Sequence, residues 1–172
     1  MNKNKIESVA VWLIMEDGVN ANKILLQQRS EKDNKKIQSF PFVCQPTFNG
    51  KTEPRESIEE AMQREAREEL GENFKLPNDL SLFDTTNYEF LPTGKAGKNI
   101  PAASYNFYAK IKEKDLQNIN LHSGAVPELI FISKNDLLKI KTTEDKTANP
   151  KEEIIMFKDQ LATLQKLFEL KP

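Results

Sequence analysis

The chain has 172 residues, with 25 Lys and Arg against 26 Asp and Glu, a formal net charge of −1. That balance disfavours a nucleic-acid grip driven by bulk positive potential. A 38% apolar content, rich in Phe, Ile, Leu and Val, excludes a disordered chain. Val9-Ala-Val-Trp-Leu-Ile-Met15 barely alternates and reads as a strand buried on both faces. It is too short to span a membrane and runs into Glu16 and Asp17 with no small-residue cleavage site, so neither an anchor nor a signal peptide is expected. A soluble, cytoplasmic protein is the expectation. Lys23 to Arg29 reads as a second strand, and Phe42 to Phe48 as a short extended piece broken by Pro46, which cannot donate to a ladder.

Ser57 to Leu70 is the clearest helix. Ser57 fits the N-cap, Glu60 completes a capping box, and Gly71 fits the stop. Leu80 to Phe90 and Ala103 to Ile111 read as strands, joined by a Pro- and Gly-rich stretch. Glu128 to Ser133 reads as a further strand, followed by a short helix at Asn135 to Ile140. Asn149-Pro150 is expected to open a last helix, at about residues 150–170, with Ile154, Phe157, Leu161, Leu164 and Phe168 as its stripe. No period of 20–50 residues repeats. One α/β or α+β domain spanning residues 1–172 is expected.

The Ser57–Leu70 helix breaks its own pattern. Ile58, Ala61 and Met62 set an apolar face that continues at Glu65, Ala66 and Glu69, and at ~100° per residue Glu68 borders it. Carboxylates gathered against a protein body repel one another and lose water. With one Cys and one His in the chain, no multi-Cys or multi-His metal site is available, so any bound metal is expected on oxygen ligands, which suit Mg²⁺ or Mn²⁺. Periodicity alone allows the alternative of a solvated acidic face with pairs such as Glu60–Arg64.

The segment before the helix bears on that choice. Gly50-Lys-Thr-Glu-Pro-Arg-Glu56 followed by Arg64-Glu65-Ala66-Arg67-Glu68-Glu69-Leu70-Gly71 resembles the Nudix box, with Gly50, Glu56, Arg64, Glu65, Glu68, Glu69 and Gly71 at the family spacing. The chain departs from the pattern at Ala66, at Glu72 in the place of an apolar residue that Phe74 is a candidate to replace, at Asn49 before Gly50, and at Arg55 where Gly often precedes the Glu. The strand Ile24 to Arg29, and Pro127 to Ser133 with Leu137 and Leu138, also look like family elements.

The resemblance implies an α/β/α sandwich around a mixed β-sheet and a Nudix pyrophosphohydrolase. Such an enzyme uses Mg²⁺ or Mn²⁺ to direct water onto a diphosphate phosphorus of a nucleoside diphosphate linked to another group X. It implies Glu65, Glu68 and Glu69 as metal carboxylates, Glu65 also being a candidate to orient or deprotonate water. Glu56 becomes a ligand or an acceptor behind the ligands, Arg64 a partner that fixes a glutamate, and the Gly50 carbonyl a further metal donor unless Gly50 is a plain turn glycine. Because some relatives place the general base on a later strand, Glu128 is a candidate base, with Glu89 a weaker alternative; an exposed strand-edge glutamate is the plainer reading of Glu128.

Other residues point less far. Cys44 reads as a small buried residue before it reads as a nucleophile, and His122 as a surface residue. Tyr88, Phe90, Tyr105, Phe107 and Tyr108 include candidates for base stacking, though strand aromatics usually serve the core. Lys95 and Lys98 lie on a hairpin tip within reach of phosphate or simply solvated. The last helix reads as a homodimer face or, more simply, as packing on the sheet. The expected partner is a small nucleoside diphosphate derivative, with no membrane and no long nucleic acid. An isopentenyl-diphosphate-isomerase-like enzyme shares the fold, and Cys44 before the box suits it, but no His accompanies the strands near Cys44. A non-catalytic nucleotide-binding module is the other alternative, supported by Arg55 and Glu72.

Overall fold

The computed structural model describes residues 5–33, 36–37, 39–90, 100–121 and 128–170. In chain order the strands β1 (Ile6–Met15), β2 (Ile24–Gln28), β3 (Lys32–Asp33), β4 (Lys36–Ile37), β5 (Cys44–Gln45) and β6 (Phe48–Lys51) precede helix α1 (Ile58–Leu70). Strands β7 (Ser81–Phe90), β8 (Ile100–Ile111), β9 (Glu128–Ile132), β10 (Lys141–Thr142) and β11 (Ile155–Met156) follow, and helix α2 (Lys158–Leu170) comes last. Short 3₁₀ turns at Glu113–Asn118 and Lys134–Lys139 follow β8 and β9.

β1 is the spine. It pairs in parallel with β8 over Ile6–Met15 and antiparallel with β2 and β6, so the sheet is mixed. β7 lies outside β8, while β5 and β9 both pair with β2. Side chains alternate across the sheet, and β1 shows both faces covered. Val9, Val11, Leu13 and Met15 pack with Ala61, Met62, Ala66 and Leu70 of α1. Trp12 and Ile14 pack with Leu164 and Leu167 of α2. The result is the expected α/β/α sandwich. Fully burying a leucine such as Leu164 or Leu167 stabilises by about 1.5–3 kcal/mol, so α2 uses its apolar stripe on the sheet. Among the described residues no helix is long and apolar enough to cross a membrane.

α1 begins where its capping box predicts. The Glu60 amide donates to Ser57 Oγ at 3.2 Å, and the Ser57 amide donates to Glu60 Oε2 at 2.8 Å. It stops at Gly71, whose φ of +98° only glycine adopts without strain, and where a Cβ would lie 2.7 Å from the Asn120 carbonyl oxygen. Phe74 is 5% exposed in the α1-side core and supplies the apolar contact that Glu72 does not.

The last helix starts later than its sequence predicts. Residues 149–153 form a turn in which the Glu152 and Glu153 amides both donate to the Asn149 carbonyl. Ile155 and Met156 are drawn into the sheet between Lys141–Thr142 and Cys44. Helical spacing of apolar residues runs from Ile154 onwards, but sheet pairing, including that of Met156 with the distant Cys44, claims Ile155 and Met156 and delays the helix to Lys158.

Candidate active site

The site is built where α1 meets β6. Among the described strands β6 pairs with β1 alone, leaving its outer edge without a strand partner. Val9 faces Gly50, and the Thr52 amide donates to the Glu7 carbonyl at 2.9 Å. By antiparallel alternation the backbone groups of Gly50 therefore turn towards β1, and those of Asn49 and Lys51 turn outward. Side chains of α1 take up the outward groups. The Asn49 amide donates to Glu69 Oε2 at 3.3 Å, and Arg64 Nη2 donates to the Lys51 carbonyl at 2.8 Å.

Gly50 is consequently a strand residue, not a turn residue, and its carbonyl faces β1 in the ladder. Its role is steric. A Cβ built on Gly50 would lie 1.8 Å from Glu65 Oε1, so the absent side chain is the space that the Glu65 carboxyl fills.

Arg64 is the hub. Its Nε donates to Glu56 Oε1 at 2.9 Å and its Nη2 to Glu56 Oε2 at 3.0 Å, a two-pronged grip. Its Nη1 donates to Glu65 Oε1 at 2.6 Å and to Glu68 Oε2 at 3.3 Å. The Arg64 hydrogen bonds hold the Glu56 carboxyl below its ordinary range, helped by the Glu53 amide, which donates to Glu56 Oε2 at 2.7 Å. The same hydrogen bonds, donated to Glu56 and Glu65, raise the affinity of Arg64 for its proton.

Glu65 is 8% exposed on the core-facing side of α1. Burial raises its carboxyl pKa, although Arg64 opposes the rise. Glu69 is half-buried and, among the described residues, has no cation bonded to it. Burial pushes it up to about 8, against the pull of the Gln27 hydrogen bond. Gln27 Nε2 donates to Glu69 Oε2 at 2.9 Å, and Gln27 Oε1 accepts from Gln45 Nε2. Gln27 is fully buried. These two glutamines were not singled out as site residues from sequence. The available signal was a polar residue at an inward position of an apolar strand, Leu25-Leu26-Gln27.

The structure thus brings together Glu56, Arg64, Glu65 and Glu68 around one guanidinium, with Glu69 one step along the helix. It does not close them into a cage. Among the described residues no three His, Cys, Asp or Glu side chains converge as a metal-binding group. Glu65 and Glu68 turn to Arg64 while Glu69 turns to β6 and β2.

Glu128 is not in this cluster. It faces Gln28 across the β2–β9 ladder, whereas Glu69 is bonded to Gln27, so alternation puts Glu128 on the α2 side of the sheet, where it is exposed. Glu89 is exposed on β7. Cys44 is buried on the α2 side, and burial pushes its thiol up to about 12, which suppresses the nucleophilic thiolate. His122, Lys95 and Lys98 lie outside the described residues. Of the aromatic candidates, Tyr88 is 37% exposed and Tyr105 donates its hydroxyl to Glu7 Oε1 at 2.9 Å.

One further position stands out in the loop that carries Glu56. Arg55 has φ of +75°, the left-handed region in which a side chain is strained. The glycine that the family favours at this position removes that strain.

Comparison with known proteins agrees with this geometry. A family model described as the NUDIX domain matches residues 5–155. No curated protein matches the chain by sequence. Among solved structures, the NUDIX domain of Shewanella oneidensis NrtR, complexed with ADP ribose, is 16% identical, with a TM-score of 0.63 and coverage of 99% of this chain and 90% of that one. A Caenorhabditis elegans Ap4A hydrolase is 16% identical with a TM-score of 0.58, covering 96% and 97%. A mutT/nudix family protein from Listeria innocua is 19% identical with a TM-score of 0.56, covering 99% and 95%. With the matched model spanning most of its length and its box residues meeting at the edge of one strand, the chain belongs to the NUDIX family.

Proposed function

We propose that the chain hydrolyses the diphosphate linkage of a nucleoside diphosphate derivative in a Mg²⁺- or Mn²⁺-dependent reaction. The observation that carries the reading is the charge at the edge of β6. Three carboxylates, those of Glu56, Glu65 and Glu68, share the guanidinium of Arg64, and the fourth, Glu69, has only neutral donors among the described residues. Burial that raises Glu65 and Glu69 is relieved by a cation, and hard oxygen donors suit magnesium and manganese. The donor set therefore fits such an ion.

Glu65, Glu68 and Glu69 would hold it, and the outward carbonyl of Asn49 would be a backbone donor beside that of Gly50. When bound, the ion neutralises diphosphate oxygens and lowers the pKa of the attacking water. The chain's own residues orient these groups. Glu56 fixes Arg64, Arg64 fixes Glu65 and Glu68, and Gln45 and Gln27 fix Glu69. Glu65 Oε1 accepts from Arg64, leaving Oε2 to accept the proton of water. The isomerase alternative loses its cysteine, since Cys44 lies across the sheet from the glutamates with a thiol pKa of about 12.

The test is release of a monophosphate, with added Mg²⁺ or Mn²⁺, from a panel that begins with ADP-ribose and Ap4A, the compounds named for the two structural neighbours, and extends to sugar nucleotides, nucleoside triphosphates and capped RNA. Turnover by wild type that disappears on chelation supports the reading. Absence of product across the panel, with nucleotide binding retained, establishes a binding module instead. Consumption of isopentenyl diphosphate without phosphate release establishes the isomerase.

A further inference from the structure

β7 ends one side of the sheet, and its outer edge has no strand partner among the described residues. At ten residues it is long for an edge strand. It contains neither Lys nor Pro, two residues that keep sheet edges from pairing with other chains. The other outer strands are shorter or covered. β9 has five residues and β10 two, and the outward groups of β6 are taken up by Glu69 and Arg64. A bulge between Leu82 and Asp84 interrupts β7 near its start and leaves Asp84–Phe90 regular.

The direction of the β7 backbone groups follows from the neighbouring strands. The Glu16 amide donates to the Ile111 carbonyl at 2.8 Å, and Ser8 Oγ donates to the Ala103 carbonyl at 3.3 Å. The odd-numbered residues of β8 therefore turn to β1 and the even-numbered ones to β7. Asn106, Ser104 and Ala102 face Asp84, Thr86 and Tyr88, which bond inward. Thr85, Asn87 and Glu89 are left with their N–H and C=O groups pointing away from the sheet, and Thr85 and Asn87 are exposed. The side chains alternate as well. Thr86 and Tyr88 lie on the α2 face, where with Asn49, Asn106 and Gln160 they line a cavity of about 320 Å³.

We propose that a second copy of this chain pairs with the open edge of β7, antiparallel about a two-fold axis, so that the two sheets continue into one. An axis at Asn87 uses the whole regular stretch. Asn87 then faces Asn87 of the copy, Thr85 faces Glu89 and Thr86 faces Tyr88, with about six hydrogen bonds between the strands. A β-branched residue opposite an aromatic is a favourable cross-strand pair, whereas like charges directly opposite repel. The charged residues of the strand are Asp84 and Glu89, and neither meets an acid in this register. Asp84 is already held by Lys166 at 3.0 Å. The seam runs beside Thr86 and Tyr88, and so along one wall of the cavity. Pairing requires neither metal nor hydrolysis.

Sedimentation equilibrium of the full chain, from about 1 to about 300 µM, measures the association, and a seam this short is expected to be half-dissociated on the order of 10 µM. Hydrogen exchange resolved to single residues gives the signature of the edge. Between dilute and concentrated samples the amides of Thr85, Asn87 and Glu89 are expected to slow severalfold, and those of Thr86 and Tyr88 to stay unchanged. Asn87→Pro removes an N–H that β8 does not use, and Asn87→Lys sets two like charges against each other across the axis. Each is expected to weaken association about tenfold or more, with the melting temperature of the dilute protein maintained. Asn87→Lys keeps the backbone intact and decides the matter where Asn87→Pro does not fold. A monomer at every concentration, a dimer unchanged in Asn87→Lys, or exchange at Thr85 and Asn87 that ignores concentration would overturn the pairing.

Discussion

On the α1 face of the sheet Arg64 grips Glu56, Glu65 and Glu68 at 2.6–3.3 Å, and the neutral Gln27–Gln45 pair holds Glu69. On the α2 face Asn106 and Thr163 are paired, Lys166 reaches Asp84 at 3.0 Å, and Asn49 Nδ2 and Gln160 Oε1 have no hydrogen-bond partner among the described residues. The two faces meet in β6, where Gly50 turns its missing side chain to Glu65 and Asn49 lines the cavity. Alternation along one short edge strand puts the Glu65 carboxyl and the Asn49 side chain on opposite faces, one residue apart.

The sharpest way to break this division is to remove charge from the α1 face alone. Glu68→Gln and Glu69→Gln are isosteric and lessen local repulsion, so both should fold. Each is expected to lower turnover on the order of a thousandfold. Wild-type rates in these variants would show that the glutamates hold no metal.

Gly50→Ala tests the junction. The new Cβ would overlap Glu65 Oε1 at 1.8 Å, so the carboxyl must leave its place between Arg64 and the strand. Misplacing a catalytic group by about an ångström costs on the order of a hundredfold in rate. Because the displaced atoms end a flexible side chain, stability is expected to fall little. Steady-state assays beside melting curves separate these effects, and an unchanged rate would mean that the Glu65 position is immaterial.

The chain's sequence showed the α1 half of this contrast and little of the other. Glu65 interrupts the stripe of Ile58, Ala61, Met62 and Ala66, a pattern within one helix, and the Gly50–Gly71 spacing is equally local. The buried Gln27–Gln45 pair that holds Glu69 depends on β2 pairing with β5, and the direction of the Gly50 carbonyl depends on β6 pairing with β1. Glu128 fell on the far face because of its register with Gln28, a one-residue matter that no local pattern reveals. Gln160 becomes significant only after Ile155 and Met156 enter the sheet and fix where α2 begins.

A smaller effect comes from pH. In metal-free protein the folded-state carboxyl of Glu69 is raised from 4.5 to about 8. A raised carboxyl stabilises the fold fully below its unfolded value, near pH 4.5, and that contribution is lost as pH climbs through 8. Metal-free wild type should therefore lose melting temperature between pH 5 and 9. Glu69→Gln, which cannot ionise, should lose less. The gap between the two proteins is expected to widen towards pH 9 and to shrink when Mn²⁺ is added to wild type. A gap that stays constant with pH would mean that Glu69 is ionised throughout.

The smallest effect belongs to the loop joining the edge strand to α1. Arg55 holds φ of +75° next to Glu56. A non-glycine residue there is strained by roughly 1–2 kcal/mol. Glycine removes that strain but frees the unfolded chain, at a cost of about 0.5–1 kcal/mol. Arg55→Gly is therefore expected to leave the melting temperature unchanged or raise it slightly, whereas glycine at an ordinary loop position lowers it. Turnover should also hold, because the Glu56 carboxyl is fixed by Arg64 and the Glu53 amide, not by Arg55. A clear loss of stability would show that the Arg55 side chain makes a compensating contact. A loss of turnover at unchanged stability would instead bring the guanidinium of Arg55 into substrate binding, and the α1 face would then hold two cations that act on the ligand.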